Sequence, residues 1–200
     1  MGYTPRAFTQ VDPSDPCWKV SCWAAVGAWL ATAATRGRRR PTVERFREKA
    51  GVTFCRPGGR SDVERGLKAI RYRKISAWEW GEGRIYDDLT REQLRNRLDN
   101  DSGRLFWLAT DFEVWDDQPS VCQPGFNDPA SGDSYHAIGV VAGLGTGRNQ
   151  GKVRVLNPLC STLKWVPLPT VVRAAGRYSK EHPGLIDALS VLPPDRAGFE

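Results

Sequence analysis

The most nearly uniform apolar stretch in the chain runs from Trp23 through Ala24-Ala25-Val26-Gly27-Ala28-Trp29-Leu30 to Ala34. Apolar residues occupy almost every position around a 3.6-residue period, so the pattern predicts a central helix over residues 22–35, buried all round. Gly37 is placed to end it. Before it, Pro5, Pro13 and Pro16 keep residues 1–16 irregular. After it, Thr42–Ala50 has the spacing of a short amphipathic helix. Ser61-Asp62-Val63-Glu64 reads as a capping box opening a third helix that runs to about Ala69, and Thr90-Arg91-Glu92-Gln93 as a second box opening a helix to Leu98.

The period changes to two further along. Arg73–Trp80 alternates as a strand, and Arg104-Leu105-Phe106-Trp107-Leu108-Ala109 reads as a strand buried on both faces. His136–Gly143 and Lys152–Pro158 are two strands joined by the Gly-rich stretch 143–151, a hairpin, with Leu163–Val166 a third, short strand. Thr170–Ala175 allows a helical turn or two. Between Asp111 and Asp133 lies a long segment rich in Asp, Pro and Gly with no core pattern. The expected fold class is therefore α+β, a single domain over 1–200 with a mainly helical lobe at 1–70 and a mainly β lobe at 71–200.

Composition narrows the classes. With 40% hydrophobic and 26% charged residues the 200-residue chain is of ordinary globular make-up, and eight Trp supply large buried areas. The net charge is +6, carried by 22 Arg and only 7 Lys, a ratio first read as a coding bias. Arg36 and Arg38–Arg40 suit the C-terminal end of the central helix, where cations are favourable, so no specific nucleic-acid partner is predicted. The start, Met1–Arg6, lacks the apolar stretch of a signal peptide, and the longest apolar run is too short for a membrane span. The expected location is the cytoplasm of synthesis, with exit by lysis or by assembly into a particle. Gly143-Leu144-Gly145-Thr146-Gly147 lacks the Gly-Lys-Ser/Thr ending of a phosphate loop. The Asn100-Asp101-Ser102 sequon carries no weight without a leader.

The candidate chemistry centres on a thiol. The five cysteines are Cys17, Cys22, Cys55, Cys122 and Cys160; they form no Cys-x-x-Cys pair. With only His136 and His182 beside them no zinc spacing appears, so no metal or organic cofactor is expected. Cys22 opens the buried helix, with Ser21 placed as its N-cap. A helix N-terminus and a nearby imidazole would lower the thiol pKa. His136 begins a strong strand, and Asn157 ends the strand expected beside it. A hairpin brings such residues together, and an Asn oxygen can then accept the imidazole N–H and aim the ring at the thiol.

Three segments resemble one enzyme clan. Ser21-Cys22-Trp23-Ala24-Ala25 is similar to the Ser-Cys-Trp-Ala motif around the nucleophile of papain-like cysteine peptidases. His136-Ala137-Ile138-Gly139-Val140-Val141 resembles the clan's His-Ala-hydrophobic strand, and Val155-Leu156-Asn157-Pro158 the strand end with its third catalytic residue. The spacing resembles the compact bacterial and phage branches, including bacteriocin-processing peptidases and phage lysin domains, where Asp often stands in place of Asn157.

The resemblance implies a helix bearing Cys22 packed on an antiparallel sheet bearing His136 and Asn157. It implies amide hydrolysis by thiol acyl transfer on a protein or peptidoglycan peptide, without a cofactor. It also implies a Gln about six residues before the nucleophile, binding the oxyanion. Gln10 is the one upstream Gln, twelve residues before Cys22 and seven before Cys17, so Cys17 stands as a rival nucleophile. Cys17 is alternatively the partner of Cys55 in a structural disulfide of the kind some clan members carry. The resemblance further gives Trp165 as an aromatic cover for the His136–Asn157 pair, with core packing as the other reading. The remaining reading is a non-enzymatic one, a papain-like fold kept as a structural or binding module among phage particle components.

Overall fold

A computed structural model of the chain describes residues 4–9, 11–70, 84–111, 115, 135–160, 162–181 and 186–192, with the backbone alone for 84–88 and 177–181. The expected strand at 73–80, most of the 111–133 segment, Gln10, Cys122 and His182 lie outside them. Among the described residues, five helices, α1 (Cys22–Ala34), α2 (Val43–Lys49), α3 (Arg60–Ile70), α4 (Arg91–Asn100) and α5 (Leu168–Glu181), accompany six strands. The strands are β1 (Arg84–Leu89), β2 (Leu105–Asp111), β3 (Tyr135–Val141), β4 (Lys152–Leu156), β5 (Lys164–Pro167) and β6 (Ile186–Val191). They form one sheet in the order β1-β6-β2-β3-β4-β5, every neighbouring pair antiparallel. The fold is mixed α+β. Among the described residues no helix is long and apolar enough to cross a membrane.

Helices cover both faces of the sheet. On one side Trp23, Val26, Trp29 and Leu30 of α1 share a core with Leu105, Trp107, Ala109, Ala137 and Val141. On the other, Leu94 and Leu98 of α4 and Val171, Ala174 and Ala175 of α5 share a core with Phe106, Leu108, Ile138, Val140, Val153 and Val155. This explains why all seven residues of β2 are buried, and why every residue of α1 is buried as well. Gly139 on the sheet makes room for the Trp29 ring of α1: a Cβ there would lie 2.8 Å from it.

Local signals set most helix ends. Thr90 and Gln93 form the full reciprocal capping box of α4, and Thr42 caps α2 by accepting the Arg45 amide. Helix α1 closes with the Gly37 amide on the Thr32 carbonyl (2.7 Å) and the Arg36 amide on the Ala33 carbonyl (2.9 Å). That is the Schellman pattern, with Arg36 itself taking the left-handed position (φ 51°) ahead of Gly37 (φ 80°).

Several expectations need correction. Ser61 does not cap α3, which starts one residue earlier; the Gly59 amide instead donates to Asp62 (3.0 Å). The predicted turn at 170–175 is the 14-residue helix α5. At Gly176 the Arg91 guanidinium docks on it, donating to the Gly176 carbonyl at 3.0 Å, where a Cβ would lie 2.1 Å from Arg91 Nε. Strands β1 and β6 were not anticipated. Asp87 and Asp88 in one, and Asp187 and Ser190 in the other, interrupt any apolar alternation. Strand β6 nevertheless inserts between the edge strand β1 and β2. The lobe after residue 70 is thus a sheet carrying two helices of its own.

Candidate active site

The pairing of β3 with β4 sets the site. Its last registered pair in the direction of β4 is Gly139 with Leu156, so the first part of β3 extends past the end of β4. Asn157, the next residue, turns there: its Oδ1 accepts the Leu159 amide at 3.1 Å, and its carbonyl accepts the Cys160 amide at 2.8 Å. The same Oδ1 lies 2.9 Å from His136 Nε2. Because a backbone amide also donates to it, this atom is the oxygen of the side chain, and Nε2 must carry the proton. Nδ1 is then the basic nitrogen of the neutral ring.

His136 is held from the other side as well. Thr110 on β2 lies opposite it, and the Thr110 hydroxyl donates to the His136 carbonyl at 2.9 Å. Trp115, fully buried, donates its indole N–H to the same hydroxyl at 2.8 Å. Neither residue stood out in the sequence. A Thr in a strand and a Trp in a segment with no core pattern carry no local signal of this link.

Cys22 occupies the first turn of α1. The backbone amide of Ala137, adjacent to His136 in the chain, favours the Cys22 thiolate electrostatically, as do the amides of Trp23 and of Cys22 itself. The helix supplies the last two because its first amides lack partners within it. The Ala137 amide is available because the β4 ladder has ended. One residue thus links the sulfur to the strand of the imidazole.

Burial dominates the electrostatics. Cys22 is 7% exposed and His136 2%, and Asn157 is fully buried. Burial pushes the Cys22 thiol up to about 11, against the lowering effect of the Ala137, Trp23 and Cys22 amides. It pushes the His136 imidazole down to about 4, against the raising effect of the bond to Asn157. The anticipated lowering of the thiol pKa is therefore overturned, because loss of solvation outweighs the helix end. At neutral pH these shifts leave Cys22 a thiol and His136 a neutral imidazole.

The other sequence candidates separate cleanly. Cys17 and Cys55 are joined in a disulfide, so Cys17 is not a nucleophile in this structure; Cys160 is a buried thiol. Ser21 makes no side-chain cap; its hydroxyl donates to the Cys17 carbonyl at 2.7 Å. Trp165 packs on the outer strand β5. It is 39% exposed on β5, across from Arg154, whose guanidinium lies 5.9 Å from its ring, and it packs beside Gly145. The arginines after α1 work locally: Arg39 donates to the Ile70 carbonyl at the end of α3, and Arg40 lies over the Phe8 ring.

The loop after Cys55 borders Trp23, the residue after Cys22. A Cβ on Gly58 would lie 2.4 Å from the Trp23 ring, and the Tyr135 hydroxyl donates to the Gly58 carbonyl at 2.7 Å. Arg56 forks onto Asp62 (2.9 and 2.8 Å) and fixes that loop to α3. No protein-family model matches the chain, and no curated protein matches it.

Proposed function

We propose that the chain is a cysteine hydrolase of the papain-like kind, with Cys22 as nucleophile, His136 as general base and acid, and Asn157 orienting the imidazole. The observation that carries this reading is the His136 Nε2–Asn157 Oδ1 bond of 2.9 Å, made one residue from Ala137, whose amide favours the Cys22 thiolate. A structural histidine needs no such coincidence with a thiol at a helix N-terminus.

In this mechanism His136 Nδ1 takes the Cys22 proton as the sulfur bonds to an amide carbonyl carbon. The neutral resting pair makes proton transfer part of the attack. The Cys22 amide binds the developing oxyanion, with the Gln10 side chain as the second donor. The Nδ1 proton then passes to the leaving nitrogen as the C–N bond breaks. Water, deprotonated by Nδ1, attacks the thioester and restores the thiol. No cofactor takes part.

The substrate class is a peptide bond in a protein or in the peptide of peptidoglycan, and the +6 charge suits an anionic wall. Bacterial phage origin, with release by lysis, fits that substrate. The burial of the Cys22–His136 pair favours one alternative, a papain-like module that binds without cleaving, as among phage particle components. Incubation with purified cell walls and with denatured casein, beside Cys22→Ala, tests the reading. Release of muropeptides or casein peptides by the wild type alone supports it, and identical inactivity of both proteins favours the binding module.

A further inference from the structure

A buried charged cluster stands behind the first turn of α1. Arg47, on α2, forks onto Asp15 with Nη1 and Nη2 at 2.9 and 3.0 Å. Its Nη1 also donates to the Ser21 hydroxyl at 2.8 Å. Ser21 is fully buried and passes its own proton to the Cys17 carbonyl, while Asp15 accepts the Cys17 amide at 2.9 Å. Asp15, Cys17, Ser21 and Arg47 thus close a ring of hydrogen bonds that ends on the residue before Cys22. The Cys17–Cys55 disulfide ties the same ring to the loop beside Trp23.

The cost of burying a guanidinium and a carboxylate is high, and a cap would have needed only Ser21. Ser21 is not used as a cap. Its hydroxyl is spent on Arg47 and Cys17, which fixes the backbone where the Cys22 amide begins. That amide favours the thiolate and is the oxyanion donor of the mechanism above. Small displacements of such donors are expensive in rate.

We infer that Arg47, held by Asp15 and acting through Ser21, is a positioning residue that sets the direction of the Cys22 backbone amide and sulfur. The inference rests on the hydrolase reading and deepens it. Arg47 touches no reacting atom; it acts on the turn that carries them. The planar fork explains the use of Arg, since a Lys ammonium would not hold both Asp15 oxygens and the Ser21 hydroxyl in one plane.

The test is alkylation of the full chain by iodoacetamide, with peptide mapping of Cys22 and Cys160 across pH, in the wild type, Arg47→Met, Ser21→Ala and the double variant. Both single variants are expected to lower the Cys22 rate on its plateau at least tenfold, to leave Cys160 within twofold, and to leave the acid limb of the Cys22 profile in place. The double variant is expected to be no slower than the slower single one. A merely structural role would instead loosen the packing, raise the Cys160 rate and move the acid limb toward that of a solvated imidazole, and that result overturns the inference. Ser21→Ala keeps the Arg47–Asp15 pair, so it decides the matter if Arg47→Met does not fold. A wild-type Cys22 rate in Ser21→Ala overturns the positioning role while the hydrolase reading stands; a wild-type Cys22 no faster than Cys160 removes the hydrolase reading and the positioning role with it.

Discussion

His136 Nε2 donates to Asn157 Oδ1 at 2.9 Å across the end of a β-hairpin, and the same oxygen accepts the Leu159 amide. One fully buried side chain therefore fixes both the tautomer of an imidazole and the turn that follows its strand. Asn157→Ala leaves two buried donors without an acceptor, each worth about 1–3 kcal/mol. The urea midpoint should fall accordingly, and the alkylation rate of Cys22 should drop by up to about 100-fold as the ring loses its orientation.

Asn157→Asp has a different signature. A carboxylate beside His136 favours the imidazolium, so the His136 pKa should rise from about 4. The acid limb of the Cys22 alkylation profile should move up with it. An unmoved limb would mean that His136 does not control the thiol.

The two shifts predict a broad pH range of reactivity. The form with one proton on the Cys22–His136 pair is the competent one. Below about 4 the imidazole is protonated and the base is lost; above about 11 the thiol is ionised and the acid is lost. A plateau in rate between these limits is expected, in contrast to the tenfold rise per pH unit of an unassisted thiol.

Stability carries the same imprint on the acid side. His136 stays neutral in the fold down to about 4, whereas its ordinary value is 6.5. The unfolded chain takes up the proton first, so stability is fully present above 6.5 and falls as pH drops from there to about 4. A shift of that size corresponds to about 3 kcal/mol. Urea titrations at pH 7 and pH 4.5 should show the loss in the wild type, and its absence in His136→Gln.

Gly27→Ala separates helix propensity from packing. In an exposed helix the change would stabilise by about 1 kcal/mol. Here the new Cβ would lie 2.3 Å from the Phe46 ring, between α1 and α2. Overpacking of about 1–3 kcal/mol should win. A lower thermal midpoint is the expected result.

What could be read from the sequence was local or one hairpin apart. The Thr90–Gln93 box lies within a single turn, and the His136–Asn157 pair needed only the inference that two apolar strands form a hairpin. The burial of α1 followed from its lack of a polar face. The Arg47–Ser21 bond was out of reach because it spans 26 residues and Ser21 by itself reads as a cap. The Thr110–Trp115 support of His136 was hidden for a similar reason, since Trp115 sits in a segment with no core pattern. Strand β6 was missed because its neighbours in the sheet, not its own alternation, make it a strand. The thiol pKa was misjudged because a helix end is visible in sequence and the depth of burial is not.

The most direct measurement compares two thiols of one molecule. Cys22 and Cys160 are buried to nearly the same extent, 7% and 8% exposed, so access does not distinguish them. Mapped iodoacetamide labelling at pH 6 should modify Cys22 at least tenfold faster than Cys160, with the excess lost in His136→Gln. Equal, slow labelling of the two would contradict the assignment of Cys22 and His136 as a working nucleophile and base.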